Sequence, residues 1–328
     1  MKKFTHVNAS SIDEAVSWLG RYGQKASVIA GGTDLLGKLK DEILPTYPEA
    51  VINIKTIPGL DSMREEEGML KIGALTKLHD IAVNPEVKER YPALSDAAHR
   101  TASPNIRQMG SVGGNICQDI RCWYYRNSYN RFPCLRKGGG RCYAIEGDNR
   151  YHSIFGGSVE GGCYAVHPSD TAPVFIALGA KIMTSKRIVN AEDFFDVVVG
   201  GTTILDEDEI VTEIQVPAPT DDQRSAFMKF ALRSSIDFPI VNCAVMINES
   251  NGVVSAARIC LNAVFVKPYR AHKAEEAILG KAIDESNAEA AGEAAVSGAK
   301  PLMYNRYMIP IAKALVKRAI LACKNRGS

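Results

Sequence analysis

Ser27-Val28-Ile29-Ala30-Gly31-Gly32-Thr33-Asp34-Leu35-Leu36 is the stretch that decides the fold. Its first four residues read as a short buried strand, the glycine pair breaks the strand, and Thr33 to Leu36 open a helix. Upstream, Ser11-Ile12-Asp13-Glu14 has capping-box spacing, Ile12, Ala15, Val16 and Leu19 recur at helical intervals, and Gly23 is the stop. Downstream, Val51-Ile52-Asn53-Ile54 reads as a second strand. Strand, loop, helix and strand make a small parallel unit over residues 1–55. Its double-glycine turn lies at a strand's carboxyl end, where α/β folds place ligands. Gly32 to Leu39 nearly spells a P-loop, but Leu39 stands where Ser or Thr would hold Mg²⁺, which argues against an NTPase. Two readings of the turn remain: backbone amides aimed at an anion such as a pyrophosphate, or a plain tight turn.

Outward from this unit, 328 residues suggest roughly two domains of ~150 residues each. Apolar residues make up 46% and charged residues 23%, with a formal charge of +2. That balance excludes a chain held on nucleic acid or membrane by bulk electrostatics. No run approaches the ~20 apolar residues of a membrane span. Met1 to His6 lead into a polar segment without an apolar h-region, so the expectation is a cytoplasmic protein with no secretory signal. Leu70 to Ala74 read as a strand, and helical segments lead to a second small-residue loop, Gly110-Ser111-Val112-Gly113-Gly114-Asn115. Residues 118–163 are rich in Arg, Tyr, Gly and Cys and poor in Leu and Val, so they read as an irregular insertion needing an external staple. A boundary falls at Pro217-Ala218-Pro219-Thr220-Asp221-Asp222. Beyond it, over 222–328, three strands (227–232, 240–247, 253–265) and three helices (270–282, 285–298, 308–323) predict an α+β domain, with Pro310 blurring the last helix's start.

Five of the eight cysteines fall between 117 and 163, while Cys243, Cys260 and Cys323 sit in apolar runs as small core residues. Clustered thiols in a cytoplasmic chain point to metal or redox chemistry rather than disulfides. Cys122, Cys134, Cys142 and Cys163 suit zinc or iron–sulfur equally by count, and no CxxC pair sharpens the choice. The histidines are scattered, with His152 and His167 read as structural hydrogen-bonders. No Ser/His/Asp or paired-carboxylate constellation emerges.

Ala30-Gly31-Gly32-Thr33-Asp34-Leu35, followed by Arg107 and Gly110 to Asn115, resembles the FAD-binding medium subunit of the molybdenum hydroxylase (xanthine dehydrogenase) family. His167-Pro168-Ser169-Asp170-Thr171-Ala172-Pro173, Asp206 to Val211 with Ile214 and Pro217, and Lys229, Arg233 and Asp237 extend the likeness over the whole chain. The resemblance implies an α+β fold: a two-subdomain, PCMH-type FAD-binding domain over 1–218, then a CO-dehydrogenase-flavoprotein-like C-terminal domain. It implies that Val28, Ile29, Ala30, Gly31, Gly32, Thr33, Asp34 and Leu35 wrap the FAD pyrophosphate. Gly110, Ser111, Gly114 and Asn115 would hold the phosphate–ribityl region, with Thr101, Ala102 and Ile106 lining the same cleft. Asp170 would hydrogen-bond the ribityl chain or ring, or serve as a helix N-cap, and Ile210 and Lys229 would lie beside the isoalloxazine.

The insertion resembles that of the flavoprotein subunits of 4-hydroxybenzoyl-CoA reductases, which implies a [4Fe–4S] cluster on Cys122, Cys134, Cys142 and Cys163, with Cys117 a substitute for Cys122 at most. Basic residues from Arg121 to Arg141, with no acid among them, would surround it. FAD is expected to outlast loss of a cysteine, since its loops lie outside the insertion. The implied partners are a molybdopterin-cofactor large subunit and a [2Fe–2S] small subunit in a dimer of heterotrimers, with ferredoxin or NAD as external carrier. The implied activity is electron transfer, for reductive dehydroxylation of 4-hydroxybenzoyl-CoA. Its rivals are a purine or N-heterocycle dehydrogenase, with electrons running outward, and a zinc-stapled binding module without FAD.

Overall fold

The computed structural model describes residues 1–158, 162–196 and 201–325. Strand β1 (Thr5–Asn8), helix α1 (Ile12–Tyr22), β2 (Ala26–Ile29), α2 (Leu35–Lys40) and β3 (Ala50–Asn53) build a parallel sheet of order β1-β3-β2. Ser11 caps α1 by accepting from the Glu14 amide, and Gly23 closes it with φ 52°. The reading above lacks β1, whose four residues are mostly exposed and carry no alternating pattern.

A second layer runs through β4 (Met63–Glu66), β5 (Met69–Gly73), α3 (Leu78–Val83), α4 (Pro85–Arg90), α5 (Pro92–His99), α6 (Pro104–Met109) and α7 (Val112–Ile116). After the insertion come α8 (Ala172–Ala177), β6 (Lys181–Thr184), β7 (Ile188–Asn190), α9 (Ala191–Phe194) and β8 (Val211–Pro217), completing a sheet of order β4-β5-β8-β6-β7. Helix α8 is buried on every face, as its run Ala-Pro-Val-Phe-Ile-Ala requires.

The last domain holds β9 (Gln223–Phe230), β10 (Val241–Ser250), β11 (Val253–Asn262), β12 (Tyr269–Arg270), α10 (His272–Ile278), α11 (Glu285–Ala295) and α12 (Met308–Asn325). Pro310 sits in the first turn of α12, where a missing amide hydrogen costs nothing. The antiparallel sheet β12-β11-β10-β9 has two different faces. Ala226, Val245 and Ile259 share a core with α10 to α12, whereas Phe227, Ala244 and Cys260 belong to the core of the first domain. No helix of the described residues is long and apolar enough to cross a membrane.

The insertion has little regular structure beyond two 3₁₀ turns, but it is better packed than its composition suggests. Tyr125, Cys134, Cys163 and Ala165 share a buried cluster with Ile43, Ile120 and Val266, and Tyr124, Phe132 and Tyr143 contact one another ring to ring. Aromatic area partly replaces the missing Leu and Val, so the insertion buries more than its low Leu and Val content suggests.

Candidate cofactor sites

A cleft of about 1040 Å³, its mouth included, opens where the two glycine loops meet. Ser27 to Leu35 line one wall, Ser111, Gly113, Gly114, Cys117 and Gln118 another, and Leu205, Glu209, Ile210 and Val211 a third. A Cβ on Gly31 would lie 2.0 Å from the Met109 carbonyl oxygen, so only glycine lets the first loop rest on the second. Gly32, with φ 72°, turns the chain from β2 into α2. The amides of Gly31 through Asp34 enter no turn or cap hydrogen bond among the described residues.

The second loop differs in chemistry. Its amides from Val112 to Asn115 are spent within the protein: Val112 and Gly113 donate to Thr76 and Ala74 carbonyls, Gly114 donates to Ser111 Oγ at 3.3 Å, and Asn115 donates to the Ser111 carbonyl. The run of consecutive unsatisfied amides that could meet a phosphate therefore belongs to the first loop, while the second presents mainly small side chains and a hydroxyl. Two lysines that no motif announces hydrogen-bond carbonyls of the two loops' flanks, outside the cleft's lining, where Lys38 is the one lysine among the described residues. Lys55 Nζ donates to the Ala30 carbonyl at 3.0 Å, and Lys77 Nζ to the Met109 carbonyl at 3.4 Å. A bare amide nest, two cations and an apolar wall at Ile210 and Val211 fit a flavin dinucleotide.

Of the expected FAD residues, Val28 to Leu35, Ser111, Gly114 and Ile210 line this cleft. Thr101, Ala102, Ile106, Gly110, Asn115, Asp170 and Lys229 lie outside its lining. Thr101 Oγ1 donates to the Ala97 carbonyl, Ala102 adopts φ 50° and accepts from the Ile236 amide, and Ile106 and Gly110 bound the turn of α6. Asp170 and Lys229 form a buried ion pair at 2.7 Å. Burial pushes the Asp170 carboxyl upward, against the pull of Lys229. Asp170 does not cap α8: Thr171 is its N-cap residue, without a side-chain cap bond, and the Ala172 amide donates to Ser169 Oγ at 3.0 Å.

Cys122, Cys134, Cys142 and Cys163 all line one small cavity of about 260 Å³, with Tyr124, Tyr125, Arg136 and Tyr143. Cys117 lines the flavin-shaped cleft instead, so it does not substitute for Cys122. Among the described residues, no three His, Cys, Asp or Glu side chains approach closely enough to hold one metal ion. Burial pushes the Cys122 thiol up to about 12 and raises Cys134 and Cys142 as well. His152 Nε2 lies 3.3 Å from Cys122 Sγ. Two cations adjoin these thiols: Arg136 donates through Nη1 to the Gly201 carbonyl but keeps Nε and Nη2 unbonded, and Lys137 Nζ, buried and without a hydrogen bond, lies over the Tyr125 ring, with Asp119 the carboxylate near both. A bound cluster on four thiolates would add negative charge beside them.

The basic residues at the insertion's start are not free to surround it. Asp34 Oδ1 accepts from Arg121 at 3.2 Å and Arg126 at 2.7 Å, and Asp34 Oδ2 from the Asp119 amide at 3.0 Å. Asp119 Oδ2 in turn accepts from Lys38 at 3.2 Å and Tyr125 at 2.6 Å. Burial works to raise both carboxyls, but Lys38 and Arg126 outweigh it and hold them below the usual range.

Comparison with known proteins follows the same two-part division. The family described as "FAD binding domain in molybdopterin dehydrogenase" matches residues 2–219, and "CO dehydrogenase flavoprotein C-terminal domain" matches 226–323. The carbon monoxide dehydrogenase medium chain of Hydrogenophaga pseudoflava is 30% identical over 98% of this chain and 96% of its own. The aldehyde oxidoreductase FAD-binding subunit PaoB of Escherichia coli is 30% identical over 95% and 96%. In solved structures, carbon monoxide dehydrogenase from Hydrogenophaga pseudoflava, in a form lacking the Mo-pyranopterin moiety, matches with TM-score 0.79 at 29% identity, covering 100% of this chain and 99% of that one.

Proposed function

The chain belongs to the FAD-binding medium subunits of the molybdenum hydroxylase family and is an oxidoreductase subunit, and from that premise we propose that it carries FAD and one [4Fe–4S] cluster and links an external electron carrier to its partners. The partners are a large subunit with the molybdenum cofactor and a small subunit with [2Fe–2S] clusters, in a dimer of heterotrimers in the cytoplasm. When bound, FAD supplies the exchange between two-electron and one-electron steps. The chain's own residues bind it: Gly31 to Asp34 offer amides to the pyrophosphate, Lys55 and Lys77 neutralise it, and Ile210 packs on the ring.

The observation that carries the second centre is the cavity of four cysteines beside Arg136 and Lys137, which keep buried nitrogens without hydrogen-bond partners. What supports an iron–sulfur reading is that four thiols line one cavity, the number of thiolates such a cluster takes. With such a cluster, the reading is reductive dehydroxylation of a phenolic acyl-CoA such as 4-hydroxybenzoyl-CoA, fed by ferredoxin.

Metal and flavin analysis of protein prepared without oxygen tests this. About four irons per chain and one FAD are expected, with the iron lost in Cys134→Ser or Cys142→Ser and kept in Cys260→Ser. Zinc without iron overturns the electron-port reading. In the assembled complex, oxidation of a purine or N-heterocycle with NAD or ferredoxin as acceptor, and no acyl-CoA reduction, replaces the substrate reading with outward electron flow.

A further inference from the structure

The face of the C-terminal sheet that docks on the first domain is apolar at Phe227, Ala244 and Cys260, which stand directly opposite one another on β9, β10 and β11. One step along the same strands lies a polar row: Lys229 opposite Asn242, and Asn242 opposite Asn262. Asn242 and Asn262 are completely buried. Burying amides in an apolar interface is unfavourable unless each is engaged, and all three side chains of this row engage one turn of the first domain. Lys229 Nζ donates to Asp170 Oδ2 at 2.7 Å, and Asn242 Nδ2 to Asp170 Oδ1 at 2.8 Å. Asn262 Nδ2 donates to the Ser169 carbonyl at 2.7 Å and faces His167 Nδ1 at 3.3 Å.

The turn they hold points back to the flavin cleft. Ser169 Oγ and Thr171 Oγ1 both donate to Asn115 Oδ1, at 2.5 and 2.8 Å. Asn115 follows Gly114 of the cleft wall, and its carbonyl accepts from Gln118, another wall residue, at 2.8 Å. A continuous set of hydrogen bonds therefore runs from the C-terminal sheet through residues 169–171 to the second glycine loop. Both amide oxygens of the row, Asn242 Oδ1 and Asn262 Oδ1, have no partner among the described residues. The two asparagines thus retain unmet bonding capacity in order to place their donors on the turn.

We propose that Asn242 and Asn262 are positioning residues of the flavin site, supplied by the C-terminal domain, which hold the Ser169–Thr171 turn so that Asn115, just behind the cleft wall, keeps the second glycine loop in fixed geometry. The inference rests on the reading that the second glycine loop and Asp170 belong to that site.

The test uses the full chain loaded with FAD, measuring FAD dissociation and the flavin midpoint potential by dye equilibration. Asp170→Asn tests the underlying reading, and Asn242→Leu, which keeps shape but loses the donor, tests the inference. Asn242→Leu is expected to weaken FAD about tenfold. It should also shift the preference between oxidised and reduced flavin about tenfold, which is about 30 mV for a two-electron couple. Adding it to Asp170→Asn should produce no further shift in potential. If Asp170→Asn moves the potential and Asn242→Leu does not, the inference falls and the flavin reading stands. If Asp170→Asn moves neither quantity, the turn is not part of the flavin site, and the reading falls first. A lower melting temperature with unchanged potential marks Asn242 as merely structural. Should Asn242→Leu fail to fold, the smaller Asn242→Ser and Asn262→Ser decide by the same two readouts.

Discussion

Two glycines show how differently the same residue type can be enforced. Gly31 is required by the protein itself, since any Cβ there meets the Met109 carbonyl at 2.0 Å, whereas a Cβ on Gly114 meets only Ser111 Oγ at 3.1 Å. Gly31→Ala should therefore destabilise the fold by about 3 kcal/mol, read as an earlier unfolding midpoint. Gly114→Val should leave a folded chain that binds little flavin, because its added methyls enter the cleft wall. Full flavin occupancy in Gly114→Val would count against the cleft. His167 makes a second residue-scale case. Asn262 Nδ2 faces its Nδ1, so the neutral ring carries its proton on Nε2, and burial pushes its pKa down to about 4. The unfolded chain takes up that proton near 6.5, so stability is intact above that value and falls by about 3 kcal/mol as pH drops from about 6.5 to 4. Denaturant melts across this window should show His167→Phe losing much of the slope; an unchanged slope would remove His167 from the account.

At the scale of elements, the glycine loops were legible because their signals are local: a strand, two glycines and a helix start in ten residues. The strands Thr5–Asn8 and Met63–Glu66 were not, because four mostly exposed residues at a sheet edge carry no periodicity. Lys55, Lys77, Asn242 and Asn262 were invisible for another reason: only topology brings them to the loops. Topology also changes one expectation. Asp34 belongs to the first glycine loop yet binds Arg121 and Arg126 of the insertion, and Tyr125, on Asp119, lines the cysteine cavity. Order in the insertion and order in the flavin loop therefore share one set of ion pairs, and FAD should not be indifferent to the cysteines. Arg126→Met removes the shorter of the two bonds from a partly buried Asp34, at a cost of about 2 kcal/mol. It should weaken FAD several-fold and lower iron content together. Cys134→Ser should likewise raise the FAD dissociation constant, and flavin binding untouched in both variants would uncouple the two sites.

At the scale of the molecule, residues 119–126 adjoin both sites, and nothing else among the described residues is arranged for bond-making chemistry. Asp170 and Lys229 neutralise each other, and Asp34 and Asp119 are held by arginines and a lysine. Of two further broad grooves, one between α4–α5 and residues 219–225 mixes Lys88, Arg90 and Arg224 with Glu89, Asp96 and Asp221, the other is lined by Arg121, Trp123, Arg233, Asp237 and Phe238, and both open to solvent. A catalytic site needs a nucleophile or base aimed at a sheltered space, with groups placed to stabilise developing charge. The cleft and the cysteine cavity instead offer cofactor shapes. The isolated, flavin-loaded chain should therefore exchange electrons with artificial dyes while leaving purines, aldehydes and aromatic acyl-CoA thioesters unchanged, and turnover should appear only when the large and small subunits are added. Stopped-flow bleaching of the flavin by a reduced dye, beside product analysis with each substrate class, separates these outcomes. Product formation by the chain alone would mean that a groove or the cleft holds chemistry beyond electron transfer.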